Sequence, residues 1–90
     1  MEKETLIMVK SFCSSCSIST ELFHQLKEYG LIVTIEQDDI EYLNDENLMK
    51  AEQFIRLHKT LHINMEGLDV VAHLLDKINR LEEELRQFRH

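Results

Sequence analysis

The chain has no proline and no tryptophan among its 90 residues, and only two glycines and two cysteines. The absence of proline, repeats and low-complexity stretches leaves no linker signal, so we expect one small domain that is marginally stable alone. No apolar run is long enough to span a membrane, and the opening residues MEKETLIMVK lack the extended apolar segment of an export signal. We therefore expect a cytoplasmic protein with no membrane partner, and the two cysteines agree with a reducing compartment.

Residue patterns that would indicate catalysis or metal binding are also missing. The two glycines, Gly30 and Gly67, form no phosphate-binding loop, and no nucleophile is paired with a base. Cys13 and Cys16 form a CxxC pair, but a structural zinc site needs four ligands, and His24 would add only a third. We interpret both cysteines as core residues of a short helix, and we predict no enzymatic activity, no cofactor and no metal.

The net charge of −7 is confined to one part of the chain. Residues 1–53 carry four basic and eleven acidic side chains, whereas residues 54–90 carry six of each. The N-terminal part should therefore contact a basic partner rather than a polyanion.

The last third of the chain predicts a long helix that begins after the cap Asn64. Its apolar residues alternate in steps of three and four and form one narrow stripe, here called the seam. The seam consists of Val71, Leu74, Ile78, Leu81, Leu85 and Phe88. A helix of this kind needs a partner, so we predict a homodimer through the seam; the alternative is that the seam covers the domain's own core.

The preceding residues predict a helix-turn-helix followed by a hairpin and a third helix. Residues 10–16 are a short helix with Ser11 as a possible cap, after a stretch at 5–9 that is either a strand or the approach to that helix. A second helix follows the cap Ser19 and stops at Gly30. Residues 31–36 and 40–43 predict a two-stranded wing, and residues 44–61 predict a helix with Leu48, Ala51, Phe54, Ile55 and Leu61 on its buried side.

This order of elements resembles the MerR-like winged helix-turn-helix proteins, and more specifically their chaperone-modulator branch, the CbpM proteins. The resemblance is carried by Phe12 with Cys13, by Ile18 with Ser19, by GLI at 30–32, and above all by the run IRLHKTLHINMEGLDVVAHLLDKI at 55–78. The chain departs from some members in its short wing and in the lack of a tryptophan-containing stretch. The resemblance implies a mainly α fold, with a winged helix-turn-helix domain over residues 1–63 and a long C-terminal dimerisation helix over residues 64–90.

The resemblance also implies a function. CbpM-like proteins bind the J domain of a DnaJ/CbpA-type co-chaperone and so limit its stimulation of Hsp70. A J domain has a basic helix that docks on Hsp70, and an acidic competitor could occupy that helix. Antiparallel pairing of the C-terminal helices is likewise implied by the MerR-like resemblance.

Charge alone suggests where such a partner would bind. Six acids in the second helix and the wing, here called the acidic set, are predicted to contact the J domain, with neighbouring apolar side chains supplying affinity. The acidic set consists of Glu21, Glu28, Glu36, Asp38, Asp39 and Glu41. The alternative interpretation is that these acids form a solvated surface that keeps a small protein soluble.

A helix-turn-helix also raises the possibility of a DNA-binding regulator. Duplex DNA is bound largely through Lys and Arg on phosphates. The second helix has one lysine, Lys27, and the wing has no basic residue. We therefore expect no direct DNA binding, with a MerR-like transcriptional regulator as the alternative and a generic dimeric adaptor as a weaker one.

Overall fold

A computed structural model of the chain describes residues 5–89, which form four helices and a small antiparallel sheet. Residues 1–4 and His90, which the predicted domain ranges include, lie outside the described residues. The elements in chain order are β1 (Ile7–Met8), α1 (Val9–Cys16), α2 (Thr20–Glu28), β2 (Ile35–Gln37), β3 (Ile40–Leu43), α3 (Asp45–Leu61) and α4 (Met65–Phe88). The predicted mainly helical fold with a helix-turn-helix and a hairpin wing is confirmed.

Helix α1 starts earlier than the sequence predicted. Its N-cap is Met8, whose side chain makes no capping hydrogen bond, so the expectation of a Ser11 cap is wrong. The reason is that β1 passes directly into the helix, which leaves no turn in which a serine could cap it. At the other end of α1, Lys59 Nζ of α3 donates a 2.6 Å hydrogen bond to the Cys16 carbonyl and thereby caps the helix.

Helix α2 has the ends that its sequence predicts. The Ser19 hydroxyl accepts a hydrogen bond from the Leu22 amide at 3.1 Å. Gly30 follows the helix with φ at 71°, a left-handed conformation that glycine adopts without steric cost. This glycine turns the chain so that Leu31 and Ile32 enter the core.

The wing is part of a three-stranded sheet with the order β1–β3–β2. The hairpin pairs Ile35 with Tyr42 and Gln37 with Ile40. Strand β1 adds Ile7 opposite Leu43. Of residues 5–9, which the sequence left open between strand and helix approach, only Ile7 and Met8 form a strand, and Val9 already begins α1. The wing therefore rests on the body of the domain through its central strand, β3.

The core lies where α1, α2, α3 and the first turns of α4 meet the inner face of β3. Its most deeply buried side chains are Phe23, Leu26, Leu43 and Leu68. Asn47 is the one buried polar residue of the described chain, and its Oδ1 accepts a 2.9 Å hydrogen bond from the Val33 amide. This bond attaches the loop before the wing to α3.

Helices α3 and α4 meet at a tight corner. His62 ends α3 in a left-handed conformation, and the Asn64 side chain caps α4 by accepting from the Gly67 amide at 2.8 Å. A Cβ at position 67 would lie 2.7 Å from Ile63 Cγ2, so this glycine permits the corner to close on itself. The expected burial of Leu61 is wrong: it is 61% exposed in the last turn of α3, and Leu57 packs on the core instead.

Helix α4 is much longer than the face it packs against. Met65 and Leu68 are buried, and Ala72 packs against the core. Every side chain from Asp76 to Arg89 is exposed. None of the helices among residues 5–89 combines the length and the hydropathy that a membrane crossing requires.

Candidate partner-binding surface

The outer face of α2 is polar and contains more acid than base. Glu21 and Glu28 are exposed and lie seven residues apart, so they project from the same side of the helix. His24 and Gln25 are the other exposed side chains between them. Glu21 in the first turn also suits the positive end of the helix dipole, whereas Glu28 lies at the negative end, where an acid is less favourable.

Lys27, the only lysine of α2, is bonded to the wing. Its ammonium forms an ion pair and hydrogen bond with Glu41 of β3, and the Thr34 hydroxyl donates to the same carboxylate oxygen at 2.9 Å. The bond from Lys27 and then the bond from Thr34 hold the pKa of Glu41 below its usual range, against the opposing effect of partial burial. Sequence reasoning missed this cluster because its members belong to different elements and share no local spacing.

The tip of the wing is a two-residue turn formed by Asp38 and Asp39. Both residues have positive φ, at 51° and 64°, as a hairpin turn of the I′ type requires. Asparagine and glycine are favoured at such positions, and aspartate tolerates them. Both carboxylates are exposed, so the turn presents two adjacent negative charges at the end of the wing.

The strand register places Glu36 directly opposite Glu41. Like charges at opposite positions destabilise a strand pair, and the bond from Lys27 to Glu41 offsets this repulsion. The fold thus gathers Glu36, Asp38 and Asp39 on the wing and sets Glu21 and Glu28 on the outer face of α2 beside it. Glu41 lies between the two groups but is half-buried and already paired.

The seam residues are largely uncovered by the chain itself. Val71 is half-buried, whereas Leu74, Ile78, Leu81 and Leu85 are each 50% to 55% exposed. Phe88 is 91% exposed. The alternative that the seam merely covers the domain's own core therefore accounts only for its first turn.

One hydrogen bond joins α2 to the base of α4. The Tyr29 hydroxyl donates to Glu66 Oε1 at 2.8 Å. This bond raises the pKa of Tyr29 and lowers the pKa of Glu66. The contact ties the end of the helix-turn-helix to the start of the long helix.

Cys13 is buried and Cys16 is half-buried, and neither forms a disulfide. Burial raises the pKa of the Cys13 thiol, which disfavours a reactive thiolate. Among residues 5–89, histidine, cysteine and acidic side chains nowhere gather in a group of three that could hold a metal ion.

Comparison with known proteins agrees with this architecture. Residues 7–90 match the family described as MerR HTH family regulatory protein. No curated protein gave a significant match. Because the match covers the helix-turn-helix, the wing and the long helix, the chain belongs to the MerR helix-turn-helix family of regulatory proteins.

Proposed function

We propose that this protein binds the J domain of a DnaJ/CbpA-type co-chaperone and limits its stimulation of Hsp70. In this respect it would be a CbpM-like modulator, without enzymatic activity or a cofactor. The observation that carries the proposal is the charge of the α2 and wing surface. Five of its acids are exposed, and Lys27, the only lysine of α2, is already bonded to Glu41.

The same surface is poorly suited to DNA. In a helix-turn-helix protein the second helix enters the major groove, and its basic side chains meet phosphates. Here Lys27 would have to leave Glu41 before it could bind a phosphate, which would leave the carboxylate exposed to the same phosphates. A basic helix of a partner protein, by contrast, would find acids on both α2 and the wing.

Calorimetric titration against the host's J domain tests the proposal. We expect the double substitution Asp38→Asn with Asp39→Asn to weaken binding about tenfold at low salt. The effect should be smaller at high salt, because salt already screens the attraction between these exposed charges and the partner. Asparagine is suited to the left-handed turn, so this pair removes charge while it retains the turn. The matched control is Glu52→Gln with Glu83→Gln, which removes the same charge from exposed positions outside the wing.

The outcomes separate function from site. Binding of the wild type that is weakened only by the wing pair supports both the function and the surface. Equal binding of all three proteins keeps the function and moves the contact elsewhere. Absence of wild-type binding contradicts the proposed function.

A DNA-binding transcriptional regulator is the second candidate, and membership of the MerR family favours it. Fluorescence anisotropy with random duplex DNA at low salt tests this alternative. Measurable affinity that falls steeply with salt would favour it over the chaperone modulator. If the protein dimerises but binds neither DNA nor the J domain, the generic dimeric adaptor is the interpretation that remains.

The proposed active form is a homodimer paired through the seam. An antiparallel arrangement centred between Ile78 and Leu81 would place Val71 beside Phe88, Leu74 beside Leu85, and Ile78 beside Leu81 of the second copy. All six seam residues would then be covered by seam residues. The same register would bring Lys77 near Glu84 of the second copy, an opposite-charge pair that occurs twice in the dimer.

A further inference from the structure

An apolar groove lies between α2 and the wing, next to the acidic set. Its floor is formed by Val9 and Phe23, which belong to the core, and its walls by Met8 and Ile40. Met8 is 39% exposed and Ile40 is 40% exposed, so both present apolar surface to solvent. The groove has a volume of about 380 Å³, ample for an aliphatic side chain.

The groove exists because β1 is shorter than the strand it pairs with. Met8 pairs with Tyr42, and the next antiparallel pair would join Val9 to Glu41. Instead the chain enters α1 at Val9 and turns away. The Ile40 end of β3 therefore extends past β1 without a neighbour on that edge, and the space beside it is left open between α2 and the turn.

The rim of the groove is polar and contains both signs of charge. Asp39 and Glu41 lie on the wing side, Thr20 and His24 on the α2 side, and Lys10 at the start of α1. Glu41 is paired with Lys27, so Asp39 and Lys10 are the formal charges that remain on the rim itself. Beyond the rim, Glu21, Glu36 and Asp38 add three further exposed acids.

We propose that this groove is the anchor site for the partner, and that it holds one aliphatic side chain from the basic helix of the J domain. The inference rests on the proposed function and adds where and how the partner is recognised. Basic residues that flank the aliphatic side chain would face the acids beyond the rim. Apolar burial in the groove would supply affinity, and charge would supply orientation and speed of encounter.

The test is calorimetric titration of the J domain against Ile40→Thr, with Val33→Thr as the matched control. Both substitutions exchange a β-branched aliphatic side chain for threonine, and Val33 is 67% exposed in the loop before the wing, where it does not line the groove. We expect Ile40→Thr to weaken binding about tenfold at both low and high salt, because an apolar contact is not screened. Val33→Thr should bind within twofold of the wild type.

Methyl NMR of the wild type gives a second measurement that needs no substitution in the groove. On titration with the J domain, the methyl resonances of Met8 and Ile40 should shift more than that of Met49, which is 70% exposed on α3. Normal binding by folded Ile40→Thr, or no shift at Met8 and Ile40 on binding, would overturn the anchor site while the proposed function stands. No binding by the wild type would instead overturn both.

Discussion

Glu41 differs from the other acids of the acidic set because it already has protein partners. Lys27 and Thr34 both bond its carboxylate, and the Glu41 side chain is only 26% exposed. Its first role is therefore to hold the wing against α2. The remaining five acids are exposed, and among residues 5–89 none of them forms a side-chain hydrogen bond or ion pair that holds the wing.

The first residue-scale prediction concerns this ion pair. We expect Glu41→Gln to lower the free energy of unfolding at pH 7 by about 1 kcal/mol, because it removes a partly buried charge-assisted bond. Glu46→Gln is the control, since the Glu46–Lys50 pair is exposed and its contribution should be smaller. Urea unfolding followed by circular dichroism measures both, and an equal loss in the two variants would contradict a special role for Glu41.

The same pair gives the wild type a pH dependence of stability. The pKa of Glu41 is lowered in the folded protein, so its contribution is complete above the unfolded value, about 4.3. The contribution is lost as the pH falls through the lower, folded pKa. The difference in unfolding free energy between wild type and Glu41→Gln should therefore shrink as the pH falls below that value, as urea titrations at each pH would show.

At the scale of elements, the sequence predicted the helices better than it predicted strand β1. Ser19 and Asn64 both cap helices as expected, because a capping side chain acts on amides within three residues of itself. Strand β1 is only two residues long and is defined by pairing with β3, which lies over thirty residues away. A contact of that range leaves no periodic signal.

The candidate surface was predictable in composition but not in geometry. The acids can be counted in the sequence, but their surroundings cannot: five of them are exposed, whereas Glu41 is half-buried and paired with Lys27. The pairing of Lys27 with Glu41 and the groove beside Ile40 depend on how α2 meets the wing. The misplacement of Leu61 has a similar origin, because helical spacing gives the buried face but not the point at which the core ends.

The element-scale prediction concerns the seam of α4. We expect Leu81→Lys to convert the proposed dimer to a monomer at micromolar concentration, because a dimer paired through the seam would bury two unpaired ammonium groups in an apolar interface. Leu61→Lys is the matched control, since Leu61 is 61% exposed and lies outside the seam. Sedimentation equilibrium measures the mass of each, and a dimeric Leu81→Lys protein would exclude the seam as the interface.

Cysteine crosslinking then distinguishes the pairing direction. In the proposed antiparallel register, a mixture of Ile78→Cys and Leu81→Cys chains should form a mixed disulfide, because these positions face each other. Efficient crosslinking of Leu81→Cys to itself would instead indicate parallel helices. The experiment uses a background in which Cys16, the more exposed of the two native cysteines, is replaced by serine.

At the scale of the whole molecule, the bond between Tyr29 and Glu66 connects the end of α2 to the start of α4. The bond favours the protonated phenol, so its contribution to stability is present below the unfolded pKa of tyrosine, about 10, and is lost as the pH rises through the higher, folded value. In a Tyr42→Phe background, Tyr29 is the only tyrosine. Glu66→Gln should then lower the pKa of Tyr29, as measured by the ultraviolet absorbance of the phenolate, whereas Glu52→Gln should leave it unchanged.

The uncovered far end of α4 has a consequence for valency. The helix is 24 residues long, about 36 Å, and only its first turns are held by its own domain. In the proposed antiparallel dimer, the two domains would be attached near opposite ends of the paired helices and held apart at a fixed separation. Each dimer would then carry two recognition surfaces, so a partner that is itself dimeric could bind both of them. The second contact would form within the same complex and therefore at a raised effective concentration. The strength of such a complex would depend on the spacing that α4 imposes as much as on the contacts in either groove.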